Sequence, residues 1–95
     1  MSKKDAYEKK VKAQLDEWGS EIDKLKAKAD KAKADAQVKY YEQIDELRSM
    51  RDKASKKLAR IKDAGDDAWE DLKAGMDSAR DSLGSALKSA KSKFN

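Results

Sequence analysis

The sequence predicts an all-α protein made of long amphipathic helices, and three observations carry that prediction. Proline is absent and 44% of the residues are charged, so no imide interrupts a helix and most of the chain must face water. Apolar side chains recur at steps of three or four from Tyr7 onward, which is the spacing of one helical face. Acids stand four residues before bases at Glu8 and Lys12, Asp35 and Lys39, and Asp52 and Lys56, an orientation that supports a solvated helix by about 0.2–0.5 kcal/mol per pair. High charge with few aromatic residues is also the composition of a disordered chain, and the periodicity decides for helix.

The first helix is expected over residues 3–63. Its stripe begins Tyr7, Val11, Leu15, Trp18, Ile22 and Leu25, continues through Ala29, Ala32 and Ala36, and resumes as Tyr40, Ile44, Leu47, Met50, Ala54, Leu58 and Ile61. The mean step is about 3.6, the period of a straight helix and not the 3.5 of a tight left-handed supercoil. Between Lys26 and Ala36 there is no large apolar residue, and Lys-Ala-Lys-Ala-Asp occupies 26–30 and again 31–35. Either neighbouring helices approach closely over these alanines, or they form a weakly packed waist. Gly19 is a second weak point, since glycine costs about 1 kcal/mol against alanine inside a helix.

A turn is expected at 64–66 and a second helix at 67–93. Gly65 suits a helix end, and Asp67 with Glu70 resembles an acid-first capping box. The stripe then runs Trp69, Leu72, Met76, Ala79, Leu83, Leu87, Ala90 and Phe94. The acids of this segment end at Asp81 and Lys88, Lys91 and Lys93 follow, matching a helix dipole. Ile61, Gly65, Trp69 and Leu72 nonetheless stay in phase, so one uninterrupted helix also fits the spacing.

These lengths predict self-association. A helix of some 60 residues spans about 90 Å and one of 27 about 40 Å, so a hairpin would leave the stripe from Tyr7 to Leu25 bare. Two long helices pairing antiparallel would cover it, which favours a closed dimer in an elongated coiled-coil-like bundle, with higher oligomers still open. The expected packing seam is Trp18, Ile22, Leu25, Ile44, Leu47, Leu58, Ile61, Trp69, Leu72, Met76, Leu83 and Leu87. The 95 residues form a single helical domain on this reading.

Composition also narrows function. Without cysteine or histidine there is no thiolate site, no imidazole base and no histidine metal ligand, and the serines at 78, 82, 85, 89 and 92 lack an activating base. We therefore expect no enzyme, no catalytic residue, no cofactor and no metal. The acids Asp66, Asp67, Glu70 and Asp71 fit a helix start better than a cation loop. Arg51, Lys53, Lys56, Lys57, Arg60 and Lys62 form a basic stretch, read as a solvated face beside an acidic neighbouring helix; without a nucleic-acid fold pattern, specific nucleic-acid binding is not expected. No apolar run approaches the roughly 18 residues of a membrane span, and charge follows the first residues where a signal sequence would be apolar, so a cytoplasmic location is expected. The amphipathic segment from Trp69 to Phe94 could meet an anionic membrane surface weakly, and a protein partner is also compatible with it.

The runs Leu15-Asp-Glu-Trp18, Ile22-Asp-Lys-Leu25-Lys-Ala-Lys-Ala-Asp30, Tyr40-Tyr-Glu-Gln-Ile44-Asp-Glu-Leu47 and Ala68-Trp-Glu-Asp-Leu72-Lys-Ala-Gly75 resemble small bacterial proteins described as coiled-coil or stress-associated. That resemblance spans nearly the whole chain. It implies a helical, oligomeric protein of the bacterial cytoplasm and brings no activity or site residues. Composition and amphipathic spacing are more loosely similar to late-embryogenesis-abundant and apolipoprotein-like helices. The expected function is a non-catalytic scaffold or stress-associated accessory acting through helix–helix contacts. The alternative is an amphipathic protein that binds reversibly to anionic membranes.

Overall fold

Two helices stand where one was expected, and a third follows the anticipated turn. The computed structural model describes residues 2–94, with α1 at Lys3–Asp30, α2 at Ala34–Asp63 and α3 at Ala68–Lys93. All three pack on one another in an up-down-up bundle whose Cα extents are 51 × 19 × 18 Å. This is little more than half the length an unbroken 3–63 helix would reach.

Helix α1 starts on Ser2, whose hydroxyl accepts the Asp5 amide at 3.1 Å. It ends at Asp30, inside the alanine-rich waist. Lys31 and Ala32 close the last turn by donating to the carbonyls of Lys28 and Ala29, and Lys33 takes an extended conformation (φ −64°, ψ 149°) before α2. The Gln37 side-chain amide, from the first turn of α2, donates to the carbonyls of Ala29 and Asp30 at 3.2 Å, so α1's final acceptors are met by the next helix. Tyr41 adds a 2.5 Å hydrogen bond to the Asp30 carboxylate.

The physical reason for the break is burial. A continuous helix would gain only alanine contacts from Lys26 to Ala36, whereas reversing there lays Val11, Leu15, Ile22 and Leu25 against the core of α2. The expected helix over 3–63 is therefore corrected to two antiparallel helices. The bare Tyr7–Leu25 stripe is corrected with it, because Val11, Leu15, Ile22 and Leu25 are all buried within the chain. The bare stripe from which self-association was expected is thus covered within the chain.

At the second turn the anticipated position holds but its chemistry differs. Ala64 is extended (φ −77°, ψ 147°), and no described residue, Gly65 included, has a positive φ. Asp67 lies in the helical region and its side chain makes no capping bond, so the capping box is not formed. Lys4 of α1 does the work instead, its Nζ donating to the carbonyls of Lys62 at 2.9 Å and Ala64 at 2.6 Å. Both reversals are thus tied by a side chain from a neighbouring helix.

The core is continuous through all three helices. Among the described residues fifteen side chains are buried in it: Val11, Leu15, Ile22, Leu25 and Ala29 from α1; Ile44, Leu47, Ala54 and Ile61 from α2; Trp69, Met76, Leu83, Leu87, Ala90 and, at the end of α3, Phe94. Tyr40 stacks on Phe94 with ring centroids 4.2 Å apart at one end, and Tyr7 meets Trp69 at 5.8 Å at the other.

Candidate functional site

Of the twelve expected seam residues, Ile22, Leu25, Ile44, Leu47, Ile61, Trp69, Met76, Leu83 and Leu87 lie in this intramolecular core. Trp18 and Leu58 are half-buried against it. Leu72 is 37% exposed and falls outside, because it points to the α2-side edge of α3, where Lys57, Arg60 and Gly75 surround it. With the apolar side chains occupied by one another, the surfaces available for chemistry are the polar grooves between helices and their outer faces.

The α1–α3 groove holds the most connected polar network. The Tyr7 hydroxyl donates to Asp77 at 2.6 Å, Arg80 donates to the same carboxylate oxygen at 2.9 Å, and the Arg80 Nε reaches Gln14 at 2.7 Å. Burial, helped by the bond to Asp77, pushes the Tyr7 phenol up to about 12. The Tyr7 hydroxyl in turn holds the Asp77 carboxyl below its usual 3.8, with Arg80 acting in the same direction. At neutral pH the phenol is therefore protonated and the carboxylate ionised, its Oδ1 accepting from both Tyr7 and Arg80, an arrangement suited to joining α1 to α3. Further along, the outer edge of the Trp18 indole, Cζ2 and Cη2, lies against Gly84, where a Cβ would sit 3.3 Å from the ring. The groove there, lined by Gln14, Trp18, Arg80, Asp81, Ser85 and Lys88, opens to water over about 510 Å³.

The α1–α2 seam uses glycine in the same way. Arg51 crosses over Gly19, donates from Nε to the Leu15 carbonyl at 3.1 Å and approaches Asp16 at 3.9 Å. A Cβ at Gly19 would stand 2.8 Å from that Nε. The glycine first read as a weak point is thus a seat for a cross-helix cation. Neighbouring pairs are Arg48 with Asp23 at 3.9 Å and, between α1 and α3, Lys91 with Glu21 at 2.6 Å. The three acid-first pairs expected from spacing are not among the ion pairs of the described residues; Lys4–Glu8, Lys26–Asp30 and Asp77–Arg80 occur within helices instead.

The exposed surface of α2 is mostly acidic in its first half and mostly basic in its second, with Lys39 and Arg48 among the acids and Asp52 and Asp63 among the bases. Glu42, Asp45 and Glu46 are exposed in its first half, and Lys53, Lys56, Lys57 and Arg60 in its second. Among the described residues none of these seven has an opposite charge within 4.0 Å. The basic stretch therefore keeps its charge for solvent, apart from Arg51. Its acidic neighbour exists at a distance: Asp71 of α3 lines the groove with Lys57 and Arg60 without pairing. The acids Asp66, Asp67, Glu70 and Asp71 are exposed at the start of α3, and no group of three or more candidate metal ligands gathers among the described residues. No described helix is long and apolar enough to cross a membrane.

Comparison with protein-family profiles, with curated proteins and with solved structures gives no match to the chain.

Proposed function

We propose that this chain is a non-catalytic interaction protein, a scaffold or stress-associated accessory that works by associating with copies of itself through the outer faces of its bundle. The observation that carries this is the division between interior and surface. The apolar stripes satisfy one another inside a single chain, while α2 presents exposed charges, Glu42, Asp45, Glu46, Lys53, Lys56, Lys57 and Arg60 among them, that have no ion-pair partner among the described residues. A surface of this kind favours contacts that are electrostatic, reversible and salt-sensitive over a permanent hydrophobic interface. The polar groups of the α1–α3 groove are engaged with one another, which suits a structural part better than proton transfer.

Sedimentation velocity over a wide range of concentration, at low and at physiological salt, tests the proposal. A discrete particle heavier than the 10.7 kDa chain at low salt is the expected result. A monomer at every concentration and salt would remove self-association as the function.

Reversible binding to anionic membranes is the second reading, and the α1–α3 seam favours it. Outside the Tyr7–Trp69 contact at one end, that seam carries polar bonds and Trp18 on Gly84 with an open groove alongside, so it is where the bundle would part to lay its apolar faces on lipid. A shift of tryptophan emission on adding anionic vesicles, reversed by salt, is expected on this reading. Unchanged emission at low salt would eliminate it.

A further inference from the structure

We propose that the outer face of α2 is a self-complementary surface on which a second copy of the chain docks antiparallel, an inference that rests on the self-association reading above and names its interface. Glu42, Asp45, Ser49, Lys53 and Lys56 follow one another at steps of three or four, so they form one exposed line along the helix. Ser49 is its midpoint. Asp45 and Lys53 stand four residues to either side, and Glu42 and Lys56 seven. A twofold axis through Ser49 therefore sets Asp45 of one copy opposite Lys53 of the other, and Glu42 opposite Lys56, each pair occurring twice.

The helix dipole does not account for this pattern. Its influence fades within the first and last turns, whereas Asp45 and Lys53 lie roughly three turns inside the ends of α2. Internal pairing does not account for it either, since none of these four charges has an opposite charge within 4.0 Å among the described residues.

The exposed apolar side chains give a second, independent observation. Among the described residues the exposed large hydrophobics are Val38, 60% exposed, and Leu72, 37% exposed. Val38 is eleven residues before Ser49, and Arg60, which shares a groove with Leu72, is eleven residues after it. The axis that pairs the charges also brings Val38 of one copy to the mouth of the groove holding Leu72 of the other. Gly75, with no atom within 4 Å of its missing Cβ, leaves that groove open. Because each patch meets itself, the assembly closes at two. Exposed ion pairs are individually weak, so the dimer forms at low ionic strength and is lost as the screening length shortens from about 30 Å at 0.01 M salt to about 10 Å at 0.1 M.

The test is sedimentation equilibrium near 0.01 M ionic strength on three proteins, with circular dichroism confirming that each is folded. Wild type is expected to dimerise reversibly. Lys53→Glu with Lys56→Glu makes the line through Ser49 uniformly acidic, Glu42→Lys with Asp45→Lys makes it uniformly basic, and each variant alone is expected to weaken dimerisation at least tenfold. Mixed in equal amounts, the two variants are expected to form a one-to-one heterodimer. Variants that dimerise as wild type does, or a mixture that stays monomeric, would overturn the assignment of this face while leaving self-association intact. A wild-type protein that stays monomeric would remove both, and if it then bound anionic vesicles through Lys53 and Lys56 the face would belong to an anionic surface.

Discussion

Three glycines sit inside helices, and alanine at each should give a different result. Without tertiary contacts every one of these replacements would stabilise by about 1 kcal/mol, the helix-propensity difference. At Gly75 no atom lies within 4 Å of the new Cβ, so the whole gain is expected, a rise of roughly 4–8 °C in Tm for a domain of this size. At Gly84 the new methyl group stands 3.3 Å and 3.6 Å from the Trp18 ring, which must move out by a few tenths of an ångström. Lost indole packing should offset most of the gain and leave the variant within about 0.5 kcal/mol of wild type. At Gly19 the methyl group would meet Arg51 at 2.8–3.2 Å, and the guanidinium must leave the Leu15 carbonyl. A hydrogen bond to a charged group contributes about 1.5–3 kcal/mol, reduced here because the Arg51 side chain is 33% exposed. The variant should therefore fall about 0.5 kcal/mol below wild type. Thermal and urea unfolding followed by far-UV circular dichroism measures all three. Equal stabilisation by Gly19→Ala, Gly84→Ala and Gly75→Ala would refute the two cross-helix seats.

Other expectations follow from particular contacts. The carboxyl of Asp77 titrates below 3.8 in the bundle, so its stabilising effect is complete above the ordinary carboxylate range and is lost as pH falls through the folded value. Tyr7 titrates near 12 instead of 10, so its effect is complete below pH 10 and is lost between 10 and 12; Tyr7→Phe should flatten both limbs of a stability–pH profile, and unchanged limbs would contradict the Tyr7–Asp77 bond. Gln37→Ala removes the side-chain donor from the Asp30 carbonyl and the second donor from that of Ala29, and should lower stability by about 1 kcal/mol while amides near residues 31–36 exchange faster. Leu83→Ala empties a fully buried position and should lower stability by about 2–5 kcal/mol, whereas Leu72→Ser at the exposed edge should stay within about 0.5 kcal/mol. Similar urea midpoints for those two variants would show that Leu72 is packed.

The helical character, the helix-facing stripe and the second reversal were all legible in the sequence. Gly65 amid Asp63, Asp66 and Asp67 is an ordinary punctuation signal, and the turn falls there although neither a left-handed glycine nor an Asp67 cap forms it. The first reversal carried no such signal. Ile22, Leu25, Ala29, Ala32, Ala36 and Tyr40 keep helical phase across it, and periodicity cannot register a change of direction when the turn is built from lysine and alanine with negative φ throughout. What marked it was the absence of large apolar residues from Lys26 to Ala36, a stretch that fits either a close approach of helices or a weakly packed waist. The caps from Gln37 and Lys4 act across helices and have no local signature. Leu72 keeps the core period and is exposed all the same, because period fixes a face and not what lies opposite it. The basic half of α2 was visible as a run of lysines, while its relation to Glu42 and Asp45 emerged only when the solvent face of the helix was known.

The central claim is that one chain reverses at residues 31–33 and buries its own stripe, and a distance between Lys12 and Lys62 tests it most directly. The chain has no cysteine, so Lys12→Cys with Lys62→Cys can be spin-labelled without background. These positions line one groove between α1 and α2, and in the bundle their labels should lie roughly 20 Å apart or less. In an unbroken helix the fifty residues between them span about 75 Å. Double electron–electron resonance, with the labelled protein diluted into unlabelled protein to suppress pairs between chains, is expected to give the short distance at full amplitude. A short distance that disappears on dilution, or a distance near 75 Å, would contradict the account.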